Sequence, residues 1–133
     1  MPHLKIEYTA NLDPQADMGG LCKALAGVVT GLKDDQGQPV FPLHGTRVLA
    51  YPAPHHAVAD GQPDRAFVYL HLRIKAGRSD AIKKIAGDAL LERAKAHFEP
   101  LFKTTPIGIT VQIEEGVEHY NAMHNNLQTF LAK

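Results

Sequence analysis

The sequence predicts an α+β protein, with four strands in one sheet and two helices on a single face. Three observations predict it. Apolar and polar residues alternate in HLKIEY (3–8), AFVYLHLRIKA (66–76) and IGITVQIEE (107–115), which is the period of a strand with one buried face. Two longer segments, one after the first of these runs and one after the second, carry apolar residues at helical spacing. The resulting order, β-α-β, long loop, β-α-β, is a duplicated pattern. PHLKIEYTANLD and VYLHLRIKAGRS match in type as strand, small connection and helix start.

In the first run Leu4, Ile6 and Tyr8 point one way and Lys5 and Glu7 the other. Asp13-Pro14 then reads as a helix start, with Asp at the N-cap and Pro in the first turn. Met18, Leu21, Leu25, Val28 and Leu32 form the stripe that follows, and Gly19 and Gly20 weaken its early turns. KDDQGQP (33–39) is polar and turn-rich, a surface loop. TRVLAY (46–51) is the second strand. YPAPHHAVADGQPD (51–64) holds three prolines and a DG pair and reads as a long loop. The third strand, 66–76, places Val68, Leu70, Leu72 and Ile74 on one face. Ser79 suits an N-cap for the longest helix, 80–102, whose stripe is Ile82, Ala86, Leu90, Ala94, Phe98 and Leu101. Pro106 separates it from the fourth strand, and NNLQTFLAK closes the chain as a short helix packing Leu127, Phe130 and Leu131. The chain thus reads as one domain, 1–133, with pseudo-repeats at roughly 2–51 and 66–115 and a tail at 116–133. The sheet face away from the helices needs a cover, which an oligomer would supply.

Composition narrows the function. Fourteen basic residues balance fourteen acidic ones, so no bulk field points to nucleic acid or an anionic membrane. Anion recognition must come from a few placed cations. The single Cys22 excludes an intrachain disulfide and suits a reducing compartment. No apolar run approaches membrane-spanning length, and Lys5 and Glu7 interrupt the only signal-like start. The expected location is the cytoplasm.

Pro2 has two readings. It is a spacer before a strand or, once Met1 is removed, an N-terminal secondary amine anchored to a sheet. An ordinary α-amine titrates at about 7.7–8. Burial and nearby cations both disfavour the ammonium, leaving a neutral amine that can accept a proton near pH 7. Arg47, in the second strand, and Arg78, just after the third, could both approach the start of strand one if the halves stack pseudo-symmetrically. Arginines bind carboxylates in bidentate fashion and stay charged. Arg65 and Arg73 read as surface arginines. No metal site is expected. The sequence lacks HExxH and CxxC, and neither His55-His56 nor His119 and His124 makes a ligand set. Cys22 reads as a buried small residue of the first helix.

MPH at the start, FPLHGTR (41–47), ADGQPDRAFVYLHLRIKAGRS (59–79) and HNN (124–126) together resemble the 5-carboxymethyl-2-hydroxymuconate isomerases of the tautomerase superfamily. LRIKAGRSDAIKK is also similar to the opening of the smaller 4-oxalocrotonate tautomerases, which fits a duplication. The resemblance implies that Pro2, freed by loss of Met1, is the proton-shuttling base. Arg78 in AGRS and Arg47 in HGTR fall on the family's carboxylate-binding positions. It further implies a homotrimer, a small dicarboxylate or tricarboxylate substrate, no cofactor, and a place in homoprotocatechuate catabolism. VLAYPAP after Arg47 and the longer KDDQGQP loop depart from the family's pattern near the expected pocket wall. They leave open a tautomerase acting on another unsaturated carboxylate. A non-catalytic oligomer that binds a small anion is the third reading.

Overall fold

The computed structural model describes residues 2–131. The expected loss of Met1, and residues 132 and 133 of the expected tail, lie outside the described residues. In chain order the elements are β1 (His3–Thr9), α1 (Met18–Gly31), β2 (Arg47–Ala53), β3 (Ala66–Lys75), α2 (Asp80–Phe102), β4 (Ile107–Gly116) and the single turn α3 (Leu127–Phe130). Short 3-10 turns occupy Ala10–Leu12 and Leu43–Gly45.

The strands form one sheet in the order β2-β1-β3-β4. β1 and β2 are parallel, as are β3 and β4, and each parallel pair is joined through its helix. β1 and β3 run antiparallel and join the two β-α-β units in the middle of the sheet. Pro52 sits in β2, an edge strand, where its missing N–H interrupts no inner ladder. The fold is α+β.

One face of the sheet carries the core. Leu4, Ile6 and Tyr8 of β1 and Val68, Leu70, Leu72 and Ile74 of β3 are buried. Against them pack Met18, Leu21, Leu25 and Val29 of α1 and Leu90, Ala94 and Phe98 of α2. The intervening residues take the helix-free face, because side chains alternate along a strand. Leu49 and Tyr51 of β2 stand about half exposed there.

α1 begins at Met18, four residues beyond the Asp13-Pro14 start that the sequence suggests. Two contacts decide this. Asp13 is engaged elsewhere, accepting a 2.6 Å hydrogen bond from the Tyr8 hydroxyl. Burial and this bond push Tyr8 up to about 12. The cap is Asp17, whose carboxylate accepts the Gly20 N–H at 2.9 Å. A Cβ at position 20 would lie 2.5 Å from that carboxylate. The glycine that lowers helix propensity therefore makes room for the cap.

The long loop before β3 is pinned at its end. Arg65 donates from Nε and Nη2 to the two carboxylate oxygens of Asp60, at 2.9 and 2.8 Å. Asn11 donates to the Arg65 carbonyl at 2.8 Å. Arg65 is thus a structural residue. The tail runs the other way: Val117, Tyr120 and Phe130 are at least three-quarters exposed, and Leu127 about half. The packing that the sequence suggests for Leu127 and Phe130 is not made within the protomer.

Candidate active site

One end of the sheet gathers the chemistry-bearing residues. β1 and β2 start there, β3 and β4 finish there, and α2 starts just beyond. The pairing register makes the gathering specific. His3 lies opposite Arg47 of β2 and also opposite Arg73 of β3. Equivalent positions on neighbouring strands share a face, so all three side chains stand on the helix-free side.

A groove of about 660 Å³ opens at this end. His3, Arg47, Arg73 and Lys75 line its sheet side; Glu118 and His124 of the tail line the other. Pro2 immediately precedes His3 and is fully buried. Its carbonyl accepts the Arg47 N–H at 3.4 Å, which extends the β1–β2 ladder to the head of the strand. Arg47 also donates from Nε to Nδ1 of His3 at 2.7 Å. An acceptor at Nδ1 requires a neutral ring protonated at Nε2. Burial, then the charges of Arg47 and Lys5, hold His3 below the usual histidine range, which keeps that acceptor in place. The bond orients Arg47 so that its two terminal nitrogens remain for an anion.

A pH dependence follows. The folded ring titrates lower than the unfolded one, so between its folded value and 6.5 the unfolded chain holds more protons. Stability therefore falls as pH drops through 6.5 and goes on falling until the folded ring is itself protonated. The His3 ring protons should show an NMR titration midpoint below 6.5, and the melting temperature should fall between pH 7 and 5. In His3→Gln the fall should be smaller. A midpoint above 6.5 would contradict the hydrogen bond described.

Arg78 is placed differently. Its guanidinium stacks on the buried Phe41 ring at 4.6 Å from the centroid and donates from Nη2 to the Val40 carbonyl at 3.1 Å. A longer contact of 3.4 Å joins Nη1 to the Lys75 carbonyl. Three of its five N–H groups have no acceptor among the described residues. It lines the connection that delivers Arg47 rather than the groove itself. The turn bearing it is held from three directions. Gly77 takes φ +118°, open to glycine alone. The Glu115 carboxylate accepts the Gly77 N–H at 3.3 Å and lies 3.3 Å from Lys83 Nζ. Ser79 caps α2 by accepting the Ile82 N–H.

The structure thus joins Pro2 and Arg47 by a backbone hydrogen bond and sets Arg78 against Val40 and Phe41 in the connection before β2. Sequence reasoning missed His3, Arg73, Lys75 and the tail's His124 as groove residues. Arg73 shares its face with His3 only once the register is known. Among the described residues, no group of three or more His, Cys, Asp or Glu could hold a metal ion. Nor is any helix there long and apolar enough to cross a membrane.

The site can be set beside known proteins. The family model described as CHMI, 5-carboxymethyl-2-hydroxymuconate isomerase, matches residues 2–131. The chain is 32% identical over 127 residues to the Escherichia coli protein named 5-carboxymethyl-2-hydroxymuconate Delta-isomerase, covering 96% of each. A crystal structure of a 5-carboxymethyl-2-hydroxymuconate delta-isomerase is similar at a TM-score of 0.93 and 44% identity, over 100% of this chain and 94% of that one. A 5-carboxymethyl-2-hydroxymuconate isomerase from Deinococcus radiodurans R1 is similar at 0.84 and 37% identity, over 96% and 92%.

Proposed function

The chain belongs to the 5-carboxymethyl-2-hydroxymuconate isomerase family, and from that premise we propose that it isomerises 5-carboxymethyl-2-hydroxymuconate with Pro2 as general base. The observation that carries the mechanism is the placement of Pro2. It is buried at the head of β1, bonded through its own carbonyl to Arg47, and it directly precedes His3, which with Arg47 lines the cation-rich groove.

The substrate is a dienol bearing carboxylates. The Pro2 nitrogen, a secondary amine after removal of Met1, takes the proton of the 2-hydroxyl. The O–H bond breaks, the oxygen becomes a carbonyl, and the two double bonds of the diene become one. The same proton is returned to C5 at the far end, giving the conjugated ketone. No electron leaves or enters, so no redox partner is needed. Burial disfavours the ammonium and Arg47 adds a like charge, so the amine gives its proton back readily. Negative charge spreads over the dienolate in transit, and Arg47 and Arg78 hold carboxylates and stabilise that charge. His3 keeps Arg47 in position.

A homotrimer completes the reading. The helix-free sheet face with Leu49 and Tyr51, and the tail with Val117, Tyr120 and Phe130, leave apolar surface that a second copy would bury. The expected location is the cytoplasm.

The test is turnover of 5-carboxymethyl-2-hydroxymuconate, followed in the ultraviolet as the dienol is lost. Arg78→Ala and Arg47→Ala should each lower kcat/KM by about 10–100-fold, the cost of one charge-assisted carboxylate contact. Light scattering should give an unchanged assembly mass. Unchanged kinetics in either variant would remove that arginine from the site.

A further inference from the structure

We propose that Arg73 determines substrate specificity by binding the carboxylate of the substrate's carboxymethyl arm. The inference rests on the isomerase reading and deepens it. The substrate in that reading bears three carboxylates, and Arg47 and Arg78 answer two. Arg73 is a third guanidinium, and with Arg47 it lines the groove, although the sequence alone ranks it with the surface arginines.

Its position is set by the sheet. Arg73 and Arg47 flank His3 from opposite sides, one strand away each, so their backbones stand roughly 10 Å apart across β1. Both side chains line the groove, with Lys75 beside them and Glu118 as its lining carboxylate. The cations outnumber the carboxylate, as a polyanion site requires.

Arg73 is also poorly occupied by the protein. The carboxylate paired with it, Glu114, stands 3.8 Å from Nη1, beyond hydrogen-bond reach. That same Glu114 oxygen lies 2.8 Å from Nε2 of His71. An exposed pair at such separation is worth little, so it leaves the Arg73 donors unspent. The guanidinium instead lies over Gly116, where a Cβ would overlap it. Gly116 leaves the slot in which it rests. Around it stand His3 and Lys5 of β1, Arg47 of β2, Glu114 of β4, and Glu118 and His124 of the tail.

The experiment compares two dienols. 5-Carboxymethyl-2-hydroxymuconate carries the arm; 2-hydroxymuconate lacks it. Arg73→Ala should raise KM for the first by about 10–100-fold, the range for one lost charge-assisted contact, with kcat changed much less. KM for the second should rise by less than about 3-fold, because its lost contact is only general field. Gly116→Ala keeps the charge but displaces the guanidinium, and should raise KM selectively for the armed substrate. Calorimetry with unreactive anions gives a readout free of turnover. The wild type should bind tricarballylate more tightly than glutarate, and Arg73→Ala should shrink that preference about tenfold. Equal losses on both dienols, an unshrunk preference, or a changed assembly mass would overturn the proposal. If the wild type turns over neither dienol, the isomerase reading fails, while calorimetry still decides Arg73.

Discussion

Pro2→Ala, in protein whose loss of Met1 has been verified by mass spectrometry, should turn over 5-carboxymethyl-2-hydroxymuconate about 10²–10⁴-fold more slowly than the wild type, the usual contribution of a positioned general base. The physical reason is local. The pyrrolidine ring ties the amine nitrogen back onto its own side chain, so the direction of its lone pair is fixed, and the residue is packed without exposure. Alanine keeps a nitrogen at that place but offers a primary amine free to turn about its N–Cα bond. The loss should fall on kcat, because Arg47 and its His3 support remain to bind carboxylate. The pH–rate profile should change with it, losing the wild-type acid limb that reports protonation of the base. A kcat within about threefold of the wild type would exclude Pro2 as the base.

Phe98→Ala should destabilise the fold by about 3–5 kcal/mol, the range for deleting a buried phenylalanine ring. Phe98 is fully buried, the last and largest of the buried residues of the α2 stripe. It belongs to the cluster that joins both helices to the sheet. Its neighbour His97 meets it edge-on, with centroids 5.2 Å apart, and reaches the Asp17 carbonyl at the α1 cap with Nε2 at 2.8 Å. The cavity would therefore lie beside the contact that holds the two helices together. Urea unfolding measured at constant protein concentration would show the loss as a lower midpoint with an unchanged slope. A loss below about 1 kcal/mol would mean that the core collapses into the space, and would contradict a closely packed α1–α2 layer.

Most of the fold was legible because its signals are periodic. Alternation in 66–76 named the buried face of β3 residue by residue, and Val68, Leu70, Leu72 and Ile74 are buried. Ser79 before an apolar stripe marked the start of α2, and the hydroxyl does cap it. The start of α1 was not legible. Asp13 and Asp17 both satisfy the local rule for a cap. The choice between them depends on Tyr8, which takes Asp13, and on Gly20, which admits Asp17. Neither partner is visible from propensity. The tail was misread for a related reason. NNLQTFLAK has an apolar pattern, but a pattern does not say which surface receives it, and Phe130 meets none within the protomer.

For the candidate site, the sequence by itself determined which residue types were present and which lay beside turns or strand starts. Pro2, Arg47 and Arg78 could be picked out on those grounds and by family resemblance. Only the tertiary structure decided who their neighbours are. β1 lies between β2 and β3, and the register sets His3 opposite Arg47 on one side and Arg73 on the other. A one-residue slip in either pairing would send that arginine to the opposite face. Such pairings join residues more than forty positions apart in the chain, and they are fixed by burial of Leu4, Ile6, Leu70 and Leu72 against the helices. Local sequence encodes the periodicity of each strand; the shared core, which no single segment contains, fixes how the strands align and so where the charges meet.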